Sequence, residues 1–198
     1  MEDKMIRVAI THGDTNGIGY EVILKTFATP TILELCTPIV YGSPKLAAYH
    51  RKALNLETSF NIIERAEDAC DGKLNILACF DDEVKVELGQ PSEEAGKAAL
   101  MALDRAMTDY RSGLYDVLVT APINKATIQG EGFHFPGHTE YIETCVGEGN
   151  KALMILMNED LRVAPVTTHL PIRNVAEAIT QEAIVEKASI FNLSLKRD

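Results

Sequence analysis

Short runs of β-branched and aliphatic residues alternate with helical stripes along most of the chain. The run over 5–10, with Ile6, Val8, Ala9 and Ile10, predicts a strand that stops at a glycine-rich turn over 11–19. A helical pattern follows from Glu21 to about Phe27. The unit then repeats: Pro38-Ile39-Val40-Tyr41 ends at Gly42, and Leu46, Ala47, Tyr49, Ala53 and Leu54 return at helical intervals over 44–54. Such alternation implies a largely parallel sheet, because each helix carries the chain back to begin the next strand at the same edge.

Further strands are predicted over 60–63 and 74–79, separated by a polar surface excursion over 64–72. Ser92 caps a helix that carries Glu93 and Glu94 beside the positive end of its dipole. Its apolar stripe is Ala95, Ala99, Leu103, Ala106, Met107 and Tyr110, and it ends near Ser112-Gly113. Asp116-Val117-Leu118-Val119-Thr120 reads as a buried strand running into a turn at Ala121-Pro122. Strands over 152–157 and 162–167, joined by Asn158-Glu159-Asp160, predict a hairpin. From Val175 the pattern is helical, with Thr180 capping a second segment and no closing strand before Asp198. No repeat or low-complexity segment is seen.

The chain of 198 residues fits one α/β domain, or a domain and a fragment, and a composition 46% hydrophobic and 24% charged excludes disordered and fibrous classes. Acidic residues number 29 against 19 basic, and the net charge of −10 has the wrong sign for wrapping a polyanion. No nucleic-acid partner is expected, although a local site for one phosphate stays open. No apolar run approaches the ~20 residues of a membrane span. Met1-Glu2-Asp3-Lys4 lacks the basic-then-apolar order of a signal peptide, so a cytoplasmic protein without a membrane partner is expected. Cys36, Cys70, Cys79 and Cys145 form no CxxC pair and are expected to be buried, reduced thiols.

Three polar loops follow predicted strands, which in an open parallel sheet gathers them at the carboxyl edge, in one cleft. The first, Thr11-His12-Gly13-Asp14-Thr15-Asn16-Gly17-Ile18-Gly19, has a GxxxGxG spacing that is neither the dinucleotide nor the P-loop fingerprint, so an anion cradle and an ordinary turn both stand. The second, Thr120-Ala121-Pro122-Ile123-Asn124-Lys125, offers a cation that either meets a carboxylate or phosphate or is simply solvated. The third pairs His138, in Phe135-Pro136-Gly137-His138-Thr139-Glu140, with His169, in Thr167-Thr168-His169-Leu170-Pro171. Imidazoles suit metal binding and acid–base work, yet no HExxH or other zinc signature is present, and structural roles stay open for both. His12 and His134 read as structural, and His50, beside Arg51 and Lys52, as solvated. A metal-dependent hydrolase built on His138 and His169 lacks a nucleophile–base pair.

These loops, in this order, resemble the N-terminal three fifths of the 4-hydroxythreonine-4-phosphate dehydrogenase family of pyridoxal phosphate biosynthesis. The family opens with Thr-Pro-Gly-Asp-Pro-Ala-Gly-Ile-Gly-Pro-Glu, where this chain has Thr11-His12-Gly13-Asp14-Thr15-Asn16-Gly17-Ile18-Gly19-Tyr20-Glu21. The motifs at 120–125, 135–140 and 161–171 (Leu161-Arg162-Val163-Ala164 leading to Thr167-Thr168-His169-Leu170-Pro171) match in the same register. His12, Thr15, Asn16 and Tyr20 replace three prolines and an alanine, which bears on the turn's rigidity and on the substrate accepted.

The resemblance implies an isocitrate/isopropylmalate-dehydrogenase-like α/β fold, with α/β/α layers around a largely parallel sheet, truncated at the C-terminus. Residues 1–198 would be the N-terminal portion of a two-domain dehydrogenase, usually a homodimer, with the C-terminal part of the fold absent. It implies NAD-dependent (or NADP-dependent) oxidation of 4-phosphohydroxy-L-threonine, with decarboxylation to 3-amino-2-oxopropyl phosphate. A divalent metal (Zn, Mg or Co) would assist. D-threonate or D-erythronate 4-phosphate is the alternative substrate, and a non-catalytic fragment the alternative class. By motif match His138 and Thr139 contact the phosphorylated substrate, and His169 is one of three histidine ligands to the metal. Lys125 and Asp14 are catalytic candidates lining the same cleft. The family's other two metal histidines and its later substrate contacts lie beyond the matched part, so the 198-residue chain alone is expected to be inactive.

Overall fold

The computed structural model describes residues 5–80, 84–129 and 133–197. They form two compact units, Met1–Val146 and Gly147–Asp198.

In the first unit β1 (Ile6–Thr11), β2 (Cys36–Gly42), β3 (Asn61–Ile63), β4 (Asn75–Ala78) and β5 (Val117–Thr120) make a five-stranded sheet in the order β3-β4-β2-β1-β5. Every pairing is parallel. Its helices are α1 (Gly19–Thr26), α2 (Pro30–Leu33), α3 (Pro44–Ala53), α4 (Glu93–Arg111), α5 (Lys125–Ile128) and α6 (His138–Val146). The two four-residue helices α2 and α5 are too short to leave a periodic signal in the sequence.

Successive strand residues face opposite sides of a sheet, and the core divides accordingly. Ile10, Val40 and Ile76 pack with Tyr20, Ile23 and Leu24 of α1 and Leu46 and Ala47 of α3. Ala9, Ile39, Tyr41 and Leu77 pack with Ala99, Ala102, Leu103 and Ala106 of α4. The result is the expected α/β/α layering. Small alanines let α4 lie close to the sheet, and Ser92 caps it, its Oγ accepting the Ala95 N–H at 3.2 Å. Ser43 caps α3 in the same way through the Leu46 N–H. On the α4 side the Tyr41 hydroxyl donates to the buried Asp109 carboxylate at 2.9 Å, and Arg105 Nε donates to the other oxygen at 3.1 Å.

Four expectations need correction. The strand over 116–120 is not buried: Val117 and Val119 are 47% and 48% exposed, because β5 lies at the sheet edge with β1 as its one partner among the described residues. Tyr110 leaves the buried stripe of α4 and is exposed, while the rest of the stripe is buried. His50 is buried rather than solvated, since it shares the inner face of α3 with Leu46 and Ala47, four and three residues before it. Of the four free cysteines, Cys70 is exposed and the others half-buried; Cys70 belongs to a surface turn whose backbone Asn75 holds through both its N–H and its carbonyl.

The second unit begins with an antiparallel pair, β6 (Leu156–Met157) and β7 (Arg162–Val163), shorter than the predicted strands. Asn158 Oδ1 accepts the Asp160 and Leu161 N–H groups at 3.0 and 2.8 Å, the turn chemistry read from the sequence. Then come α7 (Ile172–Ala178) and α8 (Gln181–Arg197), the latter capped by Thr180, whose Oγ1 accepts the Ala183 N–H at 3.1 Å. Neither helix buries any residue, and Ile172 is 92% exposed. Among the described residues no helix is long and apolar enough to cross a membrane.

Candidate functional site

The parallel register sets Thr11 opposite Thr120, so the turns that leave β1 and β5 emerge side by side. They interlock through their backbones: the Ala121 N–H donates to the Thr11 carbonyl at 3.0 Å and the Asp14 N–H to the Pro122 carbonyl at 2.9 Å. Gly13 adopts a left-handed φ of +74°, and a Cβ there would strike the Pro122 carbonyl oxygen. At Gly19, the first residue of α1, a Cβ would strike the His12 carbonyl oxygen. Glycine is required at both places by close backbone approach. Asp14 folds the turn on itself, its Oδ1 accepting the Asn16 N–H at 2.9 Å and its carbonyl the Gly17 N–H at 3.0 Å.

The second turn ends at Asn124, whose Oδ1 caps α5 by accepting the Ala126 N–H at 3.0 Å. Lys125, the first residue of α5, is exposed. From the end of α5, Gln129 Nε2 donates to the Phe135 carbonyl at 2.8 Å, tying it to the segment that leads into α6. The rings of Phe133, Phe135 and Tyr141 pack against one another there, with centroids 5.3 to 5.6 Å apart, and Tyr141 hydrogen-bonds Asp104 of α4. His138 opens α6 half-buried, with Thr139 exposed next to it. Burial, and then the positive charge of Lys125, hold the His138 imidazole below its ordinary pKa, so it is neutral at neutral pH. Asp14, Lys125, His138 and Thr139 therefore sit on segments linked to one another within the first unit, and Lys125 and His138 lie within electrostatic reach.

Beneath the first turn is a buried aromatic stack that sequence reasoning missed. His12 is fully buried and lies against Tyr20, with centroids 5.1 Å apart and planes 11° apart, and Tyr20 in turn stacks on His50 at 5.1 Å. His50 Nε2 bonds the Thr15 carbonyl at 2.9 Å, and the Tyr20 hydroxyl accepts the Ser43 N–H at 2.8 Å. Burial pushes His12 down to about 4, with the nearby Ala98 backbone opposing that shift and His50 adding to it. Burial likewise lowers His50, against the Thr15 carbonyl and Glu21. The turn is thus fastened from within by His50 through the Thr15 carbonyl, with His12 stacked beneath it.

His169 belongs to the second unit, exposed and with a left-handed φ of +56°. A non-glycine residue in that region costs about 1–3 kcal/mol and is frequent at functional sites. Among the described residues no group of three His, Cys, Asp or Glu side chains could hold a metal ion. One imidazole does not make a metal site, so the described residues do not by themselves fit the implied cation.

Interlocked turns at the carboxyl edge of a parallel α/β/α sheet define an α/β protein of the open-sheet class, and solved structures share this fold. A 4-hydroxythreonine-4-phosphate dehydrogenase from Burkholderia phymatum is 30% identical, with a TM-score of 0.85, over 98% of this chain and 59% of that one. Residues 34–198 match the model of the pyridoxal phosphate biosynthetic protein PdxA family, and the chain belongs to that family. Among curated relatives, the 4-hydroxythreonine-4-phosphate dehydrogenase of Bacteroides thetaiotaomicron is 63% identical over all 198 residues, which cover 54% of its length. The D-threonate 4-phosphate dehydrogenase of Cupriavidus necator is 31% identical over 93% of this chain and 57% of its own length. The chain spans about half the length of the curated relatives it matches.

Proposed function

We propose that this chain is the substrate-binding part of a NAD-dependent dehydrogenase that converts 4-phosphohydroxy-L-threonine to 3-amino-2-oxopropyl phosphate in pyridoxal phosphate biosynthesis. The observation that carries the reading is the 63% identity, over the whole chain, to a relative bearing that enzyme's name. In the proposed reaction the C3 carbon gives up its hydrogen as a hydride to NAD while its hydroxyl gives up a proton to a base, and the resulting β-keto acid loses carbon dioxide and takes up a proton at C2. His138 and Thr139 would contact the phosphorylated substrate, with Lys125 and Asp14 as the catalytic candidates beside them. A neutral His138 next to the Lys125 ammonium suits an anionic ligand, since it accepts or donates a hydrogen bond while the lysine supplies the charge. His169 would be one ligand of a divalent metal whose other ligands come from outside this chain, and the active protein would be a cytoplasmic homodimer.

A version extended to the relatives' full length is expected to reduce NAD with this substrate in a metal-dependent way and to lose that activity in His169→Ala. The 198-residue chain is expected to show none. Activity retained in His169→Ala would overturn the metal role. The Cupriavidus necator relative favours a second reading, D-threonate 4-phosphate or its erythronate counterpart as substrate. Assaying the full-length protein with both compounds decides between them by kcat/KM.

A further inference from the structure

Asn16 is buried (3% exposed) in an otherwise polar turn, and its contacts reach 71 to 76 positions along the chain. Its Oδ1 accepts the Glu87 N–H at 2.8 Å, its Nδ2 donates to the Gln90 carbonyl at 2.8 Å and to Ser92 Oγ at 3.2 Å, and its own carbonyl accepts the Gly89 N–H at 2.9 Å. The side chain uses both its acceptor and its donors on one short segment. That segment, 87–92, has little else to hold it: residues 87–91 are exposed, and Gly89 turns it with a φ of +76°. Among the described residues, apart from a local ion pair between Lys85 and Glu87, the hydrogen bonds that join 87–92 to the unit outside α4 end on Asn16.

Ser92 makes the connection consequential. Its Oγ caps α4 through the Ala95 N–H while accepting from Asn16. It also lines a cavity of about 700 Å³ between the start of α4 and α5, with Glu93, Gly96, Lys97, Thr127 and Gln129. The α5 side of that cavity continues from the turn bound to Gly13 and Asp14. At Gly96 a Cβ would strike the Thr127 carbonyl oxygen, so the two helices touch.

We infer that Asn16 is a positioning residue that holds segment 87–92, and with it the capped start of α4, against the 11–19 turn. Both walls of the cavity are thereby tied to the two site turns and keep one spacing. The inference goes beyond the proposed activity and does not depend on it.

Amide hydrogen exchange of the 198-residue chain tests it, comparing wild type with Asn16→Ala and Asn16→Asp. Loss of the amide side chain in Asn16→Ala should speed exchange at Glu87 and Gly89 by about tenfold or more, while β1 and β2 amides keep their wild-type rates. Asn16→Asp keeps an acceptor for the Glu87 N–H and loses the donors to Gln90 and Ser92, so Glu87 should stay protected while Gly89 speeds up. Unchanged rates at Glu87 and Gly89 in Asn16→Ala, or a uniform rise across the unit in both variants, would overturn the inference. Should Asn16→Ala fail to fold, Asn16→Asp decides alone: a protected Glu87 with a faster Gly89 supports the role, and any other pattern overturns it.

Discussion

The Pro122 carbonyl oxygen accepts the Asp14 N–H at 2.9 Å and occupies the space a side chain on Gly13 would need. Two turns more than a hundred residues apart are therefore joined by backbone alone, and the carboxyl edge of the sheet is a single body there rather than a set of independent loops. Its shape depends on which residues lack a side chain as much as on which carry chemistry.

Gly13→Ala is accordingly expected to destabilise the first unit by about 1–3 kcal/mol, from left-handed backbone strain together with the collision at Pro122. Urea unfolding measures it. Gly72→Ala, also at positive φ but with no atom near its missing Cβ, should cost less, because strain is the whole of its penalty.

Acid should loosen the same turn. His12 titrates near 4 when folded and near 6.5 when unfolded, so between those values the unfolded chain binds more protons. The stability owed to its neutral form is complete above about pH 6.5 and is lost as pH falls toward 4, by at most roughly 3 kcal/mol. His50, lowered by burial as well, acts in the same direction. Unfolding free energies measured from pH 7 to 4 should fall, and His12→Phe should flatten the slope; an unchanged slope would remove His12 as its cause.

At the site, Lys125→Met should raise the His138 pKa, because the ammonium's repulsion of the imidazolium disappears. The value should remain below that of an exposed histidine, since burial is the larger cause. Titration of the His138 ring by NMR reads the shift. No movement would mean that the two groups do not share a field.

Much of this was legible in the chain, for identifiable reasons. The central strands announce themselves through β-branched runs, and α4 through its alanine stripe and serine cap, because burial on one face imposes a period. The loop order at 11–19, 120–125 and 135–140 carries the family resemblance in the sequence itself. His50 has charged neighbours in Arg51 and Lys52 that suggest solvent, whereas its phase with Leu46 and Ala47 marks the inner face. β5 reads as buried because apolar composition does not tell a sheet edge from a sheet centre. The contacts of Asn16 had no local signature at all: a buried amide that serves a segment some seventy residues on leaves only an asparagine in a glycine-rich turn.

The most direct test of the site is a chemical-shift titration of the first unit's amides, within the 198-residue chain, with 4-phosphohydroxy-L-threonine. Shifts concentrated at His138, Thr139, Lys125 and the 13–17 turn, and abolished together in His138→Ala, are the expected result. Saturating ligand that leaves those amides unmoved, or that moves only residues elsewhere, would contradict a substrate site built from these interlocked turns.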